Sequence, residues 1–379
     1  MERAFLVIIE FKRFGSRGWS LVDEEQELHE LAKAAGCSVV GTMQVRRHVP
    51  VAHAFIGSGK LEEIADAARQ ARAQVVVFNR EVSASQQRNI EDVLGVKMID
   101  RTQLILDIFA QRARSQEGRV QVELAQLRYL MPRLIGKGVL LSRLGGGIGT
   151  RGPGEQKLEV DRRRIRQRIT RLSDELKQLD RRRAATRQRR QENRVPVIAL
   201  VGYTNAGKTT LLNRLTGAGS RSADQLFTTL DPLARRFRLP HGDWTIVTDT
   251  VGFLQRLPHH LIEAFKATLE EARDADLLLH VLDASHPLAY EQAQAVYEVL
   301  GMLELDKKPV VTVLNKIDRL ADRQALQAFG KTLPSTVPIS ALSGEGIETL
   351  LAMLEDRLPK VDSTAGLGPS VPVGGDQDS

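Results

Sequence analysis

The sequence predicts an α/β protein in three parts: a small domain with a parallel sheet, a long antiparallel helical hairpin, and a second α/β domain. Three observations support this prediction. Short apolar strands alternate with amphipathic helices in the first part, which is typical of a parallel sheet covered by helices. An Arg-rich segment without Gly or Pro then carries apolar residues at heptad spacing. Finally, an apolar strand runs into a Gly-rich loop and an apolar helix.

The N-terminal α/β domain is predicted to cover residues 1–101. Gly57-Ser58-Gly59-Lys60 precedes one of its helices and has two interpretations. It is either a turn followed by a basic helix start or a second phosphate site, although it lacks the full spacing of a phosphate-binding loop. The expected strands are Phe5–Glu10, Ser38–Val45, Val75–Asn79 and Val96–Asp100, and the expected helices are Asp23–Ala35, Lys60–Ala73 and Ser83–Leu94.

The helical hairpin is predicted over residues 102–194. Its first arm is expected to be one long helical stretch, Thr102–Arg133, and its second arm the Arg-rich segment 161–194. The Gly-rich residues 141–155 would form the loop at the tip. An apolar seam along the second arm would pair with the first arm. The seam consists of Ile165, Ile169, Leu172, Leu176 and Leu179.

The second arm carries the basic excess of the whole chain. The chain has 54 Lys and Arg against 47 Asp and Glu, a net charge of +7. Residues 161–194 contain 14 basic and 5 acidic side chains, so their net charge is 14 − 5 = +9, and the rest of the chain has 7 − 9 = −2. This face is either a solvated coiled-coil surface or a surface that contacts phosphates, and the excess of Arg over Lys favours phosphates. No aromatic residue lies there, so recognition of the backbone or shape of folded RNA is favoured over base stacking.

Composition excludes several other classes of protein. A single cysteine, Cys37, excludes a disulfide framework and a zinc site with four Cys ligands. The longest apolar runs are far shorter than the roughly 18 residues that a membrane-spanning helix needs, so we expect no span and a cytoplasmic location. The tail 361–379, rich in Ser, Gly, Pro and Asp, is expected to be disordered.

The second α/β domain, predicted over residues 195–360, begins with the strongest motif of the sequence. The apolar strand Val195–Val201 leads into a phosphate-binding loop and then into an apolar helix. Lys208 is expected to reach the outer phosphates and to take part in catalysis, and Thr209 to ligate Mg²⁺. The nucleotide contacts expected here are Gly202, Tyr203, Thr204, Asn205, Ala206, Gly207, Lys208, Thr209 and Thr210.

Three further motifs indicate a guanine nucleotide, and therefore a Ras-like P-loop G domain. Asp249-Thr-Val-Gly252 follows a predicted strand, Thr245–Thr248; Asp249 would hold Mg²⁺ through water and the Gly252 N–H would contact the last phosphate. Asp318 would accept the ring N–H and exocyclic amine that distinguish guanine from adenine. The remaining expected contacts are Asn315 and Lys316, after the predicted strand Val310–Leu314, and Ser340, Ala341 and Leu342, after the predicted strand Val337–Ile339.

The segment that switches with nucleotide state is expected at LFTTLDP, residues 226–232. Thr229 would close on Mg²⁺ and the last phosphate, with Thr228 as the alternative. Phe253 follows Gly252, where many GTPases place the Gln that orients the attacking water, so slow intrinsic hydrolysis is expected. Asn205 either coordinates a monovalent cation, K⁺, or only braces the loop.

These residues resemble the HflX family, ribosome-binding GTPases of the Obg/HflX group. The likeness extends over nearly the whole chain to about residue 358. Its G-domain motifs are LVGYTNAGKTTLLN, LFTTLDP, TDTVGFLQRLPHHLIEAF and KATLEEARDADLLLHVLD. Segments outside the G domain are more specific, because ordinary GTPases lack them: FIGSGKLEEI, QRNIEDVLGVKMIDRTQLILDIFAQRA, EGRVQVELAQLRYLMPRL and LSRLGGGIGTRGPGE.

The resemblance implies a GTPase that binds the large ribosomal subunit and its rRNA through its N-terminal region, and we expect a monomer. The GTP or GDP state would be coupled to the dissociation or rescue of stalled or heat-stressed ribosomes, or to maturation of the large subunit. Arg143 and Arg151 would contact RNA from the tip loop. The family also suggests a peripheral membrane-associated fraction. Two alternatives stay open: an ATP-dependent rRNA unwindase regulated by the G domain, and an assembly scaffold that does not split ribosomes.

Overall fold

The computed structural model describes residues 1–12, 18–134, 153–192, 195–217, 227, 233–255 and 271–359. Several expectations lie outside these residues: the switch threonines Thr228 and Thr229, the proposed RNA contacts Arg143 and Arg151, and the tail 361–379.

The N-terminal domain is a four-stranded parallel sheet in the order β2–β1–β3–β4, with helices on its faces. The parallel α/β fold predicted from the alternating pattern is confirmed. Helix α1 begins two residues earlier than expected because Ser20 and Asp23 form a capping box at its N-terminus. The elements are β1 (Arg3–Phe11), α1 (Leu21–Ala34), β2 (Ser38–Arg47), α2 (Ser58–Gln70), β3 (Val75–Phe78), α3 (Ala84–Leu94) and β4 (Lys97–Asp100).

The single helical stretch expected over Thr102–Arg133 is wrong. The structure has two helices, α4 (Arg101–Arg112) and α5 (Gln116–Leu134). Ala113 adopts an extended conformation that ends α4, and the Ser115 hydroxyl accepts a hydrogen bond from the Gly118 N–H at the start of α5. Helix α4 then packs against α1 in the core of the N-terminal domain. The hairpin itself therefore starts with α5.

The second arm of the hairpin is α6 (Pro153–Glu192), which runs antiparallel to α5. Glu117 of α5 pairs with Arg183, whereas Glu123, further along α5, bonds Arg168 through both carboxylate oxygens at 2.7 and 2.8 Å. The Gly-rich loop expected over 141–155 is too long by three residues, because α6 begins at Pro153, and a proline is well tolerated in the first turn of a helix. Between the arms, Leu172 is buried with Val120 and Leu124, and Ile169, Leu176 and Leu127 pack beside them.

A buried carboxylate fixes α5 to the N-terminal domain. Asp100, which is fully buried, accepts hydrogen bonds from the Tyr129 hydroxyl at 2.7 Å and from Arg133 at 3.2 Å. Arg133 also donates to the Val82 carbonyl at 2.8 Å, and its guanidinium stacks 3.5 Å from the centre of the Tyr129 ring. Because two donors of α5 meet one buried carboxylate of the N-terminal domain, the base of the hairpin is held in place.

The G domain is a six-stranded sheet in the order β10–β9–β8–β5–β7–β6, parallel except for β6. Together with the parallel sheet and the hairpin, it confirms the predicted fold class. The antiparallel strand β6 and the fully buried strand β8 escaped the sequence analysis. The elements are β5 (Val197–Gly202), α7 (Lys208–Thr216), β6 (Leu233–Arg238), β7 (Trp244–Asp249), β8 (Leu277–Asp283), α8 (Ala289–Met302), β9 (Val310–Asn315), α9 (Gln324–Thr332), β10 (Thr336–Pro338) and α10 (Ile347–Arg357).

The two sheet domains share one apolar core. A continuous cluster of buried side chains runs from α1 and α4 of the N-terminal domain to β5 and α8 of the G domain. Within it, the rings of Phe109 and Phe227 meet edge to face with their centroids 4.6 Å apart. Trp19 lies against Tyr203 at 6.2 Å. Close apolar packing of this kind makes the relative placement of the domains part of the folded structure.

Candidate nucleotide site

The phosphate-binding loop lies where the parallel strands end. Strand β5 ends at Gly202, and helix α7 begins at Lys208 with Gly207 as its left-handed N-cap. A β-carbon on Gly202 would lie 2.3 Å from the Val281 carbonyl oxygen, and one on Gly207 would lie 2.3 Å from Asn315 Nδ2. Only glycine fits such approaches, so the loop closes tightly around the N-terminus of α7, where backbone N–H groups favour an anion.

Lys208 is held inside this loop. Its ammonium donates to the carbonyls of Gly202 at 3.0 Å and Tyr203 at 2.8 Å. Burial lowers the pKa of Lys208 to about 8, while the charge of Asp249 acts in the opposite direction. The loop backbone therefore aims a cation at the space in front of the helix.

Two of the residues expected to bind Mg²⁺ lie together beside the phosphate-binding loop. Thr209, in the first turn of α7, donates its hydroxyl hydrogen to Asp249 Oδ2 at 2.8 Å. Asp249 is fully buried at the end of β7. A hydroxyl and a carboxylate are hard oxygen ligands of the kind Mg²⁺ prefers, so this donor set fits the ion. Thr229, the third residue expected there, lies outside the described residues.

Gly252 is pressed against the phosphate-binding loop. A β-carbon there would lie 2.8 Å from Thr204 Cγ2 and 3.2 Å from Lys208 Nζ. The next residue, Phe253, is bonded to the loop through its backbone: its N–H donates to Gly202 O at 3.0 Å and its carbonyl accepts from Thr204 N at 2.8 Å. Its ring is buried in the shared apolar core.

The residues expected to contact the guanine base lie at the same edge of the sheet as the phosphate-binding loop. Asn315 ends β9; its amide nitrogen donates to Ala206 O at 2.8 Å and its amide oxygen accepts from Ala341 N at 3.0 Å. Asp318 lies exposed in the turn that follows. Lys316, which adopts a left-handed conformation, lies with its Nζ 2.7 Å from Asp283 Oδ2.

Other expected contacts differ in exposure. Ser340 and Ala341 are buried, whereas Leu342 is 70% exposed. Asn205 is exposed in a left-handed conformation with φ 61°. Thr210 is half-buried in the first turn of α7.

Sequence analysis missed two residues that support this edge. Arg214, near the end of α7, donates to the Ala341 carbonyl at 3.1 Å and to that of Leu342. Asp283, at the end of β8, holds Lys316 and accepts from the Ser285 hydroxyl at 2.6 Å. Arg214 lies just after the motif LVGYTNAGKTTLLN, and Asp283 is the last residue of KATLEEARDADLLLHVLD, which was the one available signal.

The Gly57–Lys60 segment has a different geometry. Gly57 caps α2 at φ −61°, and the helix begins at the next residue. Lys60 pairs with Glu63 of the same helix. A β-carbon on Gly59 would meet open space, so the backbone here is not closed around an anion in the way of the loop before α7.

Three family models cover most of the chain. One described as GTP-binding GTPase N-terminal matches residues 23–110, one described as GTP-binding GTPase Middle Region matches 112–190, and one described as 50S ribosome-binding GTPase matches 197–316. The GTPase HflX of Caldanaerobacter subterraneus subsp. tengcongensis is 52% identical over 345 residues, which are 89% of this chain and 78% of the relative. The chain belongs to the HflX family of GTPases.

A second HflX relative, from Escherichia coli K12, is 45% identical over 358 residues, covering 94% of this chain and 83% of the relative. Among solved structures, the SsGBP and GDP complex aligns with a TM-score of 0.52 and 26% identity, over 94% of this chain and 98% of that chain. The predicted family, the GTP-binding P-loop domain and the GTPase activity are thereby confirmed. Mg²⁺ is the ion that GTPases of this class generally use.

No helix among the described residues combines the length and apolar character needed to cross a membrane.

One residue behind the site has an unusual environment. His280, in the middle of β8, is fully buried, and neither ring nitrogen has a hydrogen-bond partner among the described residues. Its ring meets Tyr297 edge to face at 5.2 Å. Burial lowers the pKa of His280 to about 3, and the charge of Lys208 acts in the same direction. The imidazole is therefore neutral in the folded protein.

This neutral His280 should make folding sensitive to acid. The unfolded chain takes up a proton near pH 6.5, whereas the folded protein resists it down to about pH 3, so stability is lost as the pH falls below 6.5. Between pH 7 and pH 5 we expect His280 to account for about 2 kcal/mol of lost stability. The His280→Leu variant should lose that share of the pH dependence in urea unfolding at the two pH values.

The exposed His48 supplies the control, since His48→Gln should unfold with the wild-type pH dependence. An equal loss of stability between pH 7 and pH 5 in His280→Leu and the wild type would refute this role of the buried imidazole.

Proposed function

We propose that GTP binds at this edge of the G-domain sheet, with its phosphates on the loop before α7 and its base beside Asp318. The observation that carries the proposal is that two loops, at Ala206 and at Ala341, converge on one buried amide, Asn315, behind the cradle that Gly207 forms. The proposed contacts are Gly202, Tyr203, Thr204, Asn205, Ala206, Gly207, Lys208, Thr209, Thr210, Asp249, Gly252, Asn315, Lys316, Asp318, Ser340, Ala341 and Leu342.

Each group would have a distinct task in hydrolysis. The Lys208 ammonium would neutralise charge on the outer phosphates, and the Gly252 N–H, pressed against that lysine, would donate to the last phosphate. Thr209 and Asp249, the latter through water, would hold Mg²⁺, with Thr229 joining them in the GTP state. When bound, Mg²⁺ would supply charge stabilisation for the phosphate oxygens.

Phe253 accounts for a low intrinsic rate of GTP hydrolysis at this site. Its ring is buried in the core shared with the N-terminal domain, and a phenyl group has no hydrogen bond to offer an attacking water. A partner must therefore order the site before turnover becomes fast. Asn205, exposed on the loop, would allow K⁺ to assist at the phosphates.

Recognition of guanine should depend on the Asp318 carboxylate. In Asp318→Asn the acceptor for the exocyclic amine becomes a donor, so we expect GDP affinity to fall by about 100-fold and XDP affinity to rise, because xanthine carries a carbonyl at that place. Titration with the two fluorescently labelled diphosphates measures both changes. Asp322→Asn, an exposed change in the loop before α9, is the matched control; retained preference for GDP in Asp318→Asn would refute the assigned role.

We further propose that the large ribosomal subunit and its rRNA are the partner. The supporting observation is the exposed Arg-rich face of α6, whose segment carries the basic excess of the chain. The family model described as 50S ribosome-binding GTPase supports the same partner. Arg163, Arg171 and Arg181 are exposed on this helix, and Arg143 and Arg151 would extend the contact. A monomer would bind in its GTP state and leave after hydrolysis.

In this account the nucleotide cycle drives ribosome dissociation or rescue, or maturation of the large subunit. GTP would favour the bound form, and hydrolysis would release the protein from the subunit. The differential affinity of the two nucleotide states for the subunit sets the size of that effect.

Sedimentation with purified large subunits tests the partner. We expect the wild type to cosediment with a non-hydrolysable GTP analogue and much less with GDP. The triple change Arg163→Glu, Arg171→Glu, Arg181→Glu should reduce binding at least tenfold, because each reversal removes a phosphate contact and adds repulsion. Arg143→Glu with Arg151→Glu should act similarly.

The control carries three charge reversals elsewhere, Lys33→Glu, Lys307→Glu and Lys331→Glu, all at exposed positions. Equal cosedimentation of the Arg and Lys variants would contradict a role for the α6 face. GDP affinity should stay at the wild-type value in every one of these variants, which separates the ribosome surface from the nucleotide site.

A further inference from the structure

The side chain of Tyr203 joins the phosphate-binding loop to the N-terminal domain. Its hydroxyl donates to Glu27 Oε1 of α1 at 2.5 Å and accepts from the Gln255 N–H at 2.9 Å. The other oxygen of Glu27 accepts from Arg101, at the start of α4, at 2.9 Å. One phenol thus connects three segments of the chain.

The surroundings of this phenol hold it in place. Burial and the charge of Glu27 raise the pKa of Tyr203 well above its ordinary value, so the hydroxyl keeps its proton and donates. The Glu27 and Arg101 side chains are only 11% and 10% exposed. A cavity of about 20 Å³ between these groups and Gln255 has room for about one water molecule. Hydrogen bonds to a carboxylate in such a site are short and strong.

The same tyrosine belongs to the nucleotide site through its backbone. Its carbonyl accepts from the Lys208 ammonium, and it forms a β-bridge with Phe253. Gln255, which the hydroxyl holds, follows Gly252 by three residues. A fixed Gln255 amide therefore helps to keep Gly252 pressed against Lys208, where its N–H would meet the last phosphate.

We propose that Tyr203 and Glu27 are positioning residues for GTP hydrolysis. Glu27, from the N-terminal domain, orients the Tyr203 hydroxyl. The hydroxyl in turn fixes the backbone after Gly252, where Phe253 offers no catalytic side chain. The N-terminal domain thereby contributes a residue to the intrinsic GTPase rate, apart from any ribosome contact. This inference rests on the nucleotide site proposed above.

Single-turnover hydrolysis in the full chain, without ribosomes, tests this pair. Tyr203→Phe removes the hydroxyl but keeps the ring against Trp19, and Glu27→Ala removes its partner. We expect each to lower the hydrolysis rate constant about tenfold, since small displacements of a reacting centre cost that much or more. Affinity for labelled GDP should change less than about twofold, because the diphosphate does not need the Gly252 N–H.

The double variant distinguishes one relay from two separate effects. If both residues act through one hydrogen bond, Tyr203→Phe with Glu27→Ala should be as slow as the slower single variant, not about 100-fold slower than the wild type. Glu24→Gln is the matched control: Glu24 lies one turn earlier on α1 and bonds Asn79 and Arg80 of its own domain. We expect it to hydrolyse GTP at the wild-type rate.

Wild-type hydrolysis in Tyr203→Phe would overturn the proposal, as would a parallel loss of GDP affinity or a multiplicative loss in the double variant. Thermal unfolding of each variant verifies that it is folded, and Tyr203→Phe alone decides the matter if Glu27→Ala does not fold. Lys208→Ala reports separately on the nucleotide site: retained GDP binding there would contradict that site and not the pair.

Discussion

The candidate site depends on one buried side-chain amide. Asn315 donates to the phosphate-binding loop at Ala206 and accepts from the turn at Ala341, so two loops that are far apart in sequence share one small group. Its Nδ2 occupies the space that a β-carbon on Gly207 would need. A buried amide with partners on both sides is costly to leave unpaired, and this cost fixes the distance between the phosphate end and the base end of the site.

The shared apolar core gives the site a second constraint. Phe253 follows Gly252, and Phe227 precedes the switch threonines. Both rings are buried in the core shared with the N-terminal domain instead of facing solvent. Two residues next to the nucleotide-binding motifs therefore pack in a core that the G domain shares with another domain. A partner that moves the N-terminal domain would therefore also act on these two residues.

The sequence was sufficient for the parts of the structure that local patterns encode. The loop before α7 needs glycines at fixed spacing, and the strands before Asp249 and Asn315 are apolar runs, so the G domain could be predicted and candidate site residues could be placed at its strand ends. The break between α4 and α5 was missed because both halves keep helical spacing, and only the Ser115 cap and the docking of α4 onto α1 separate them. Long-range pairs such as Arg214 with Ala341, or Tyr203 with Glu27, have no local signature, since their partners meet only after the domains pack.

We propose that the large ribosomal subunit supplies the order around the nucleotide that Phe253 cannot. The most direct measurement is GTP turnover by the full chain with and without purified large subunits, in potassium and in sodium, with Lys208→Ala as the blank. We expect slow turnover by the chain alone and strong stimulation by the subunit, with faster turnover in potassium than in sodium if Asn205 holds the cation. Unchanged turnover in the presence of the subunit, with normal GTP binding, would contradict it.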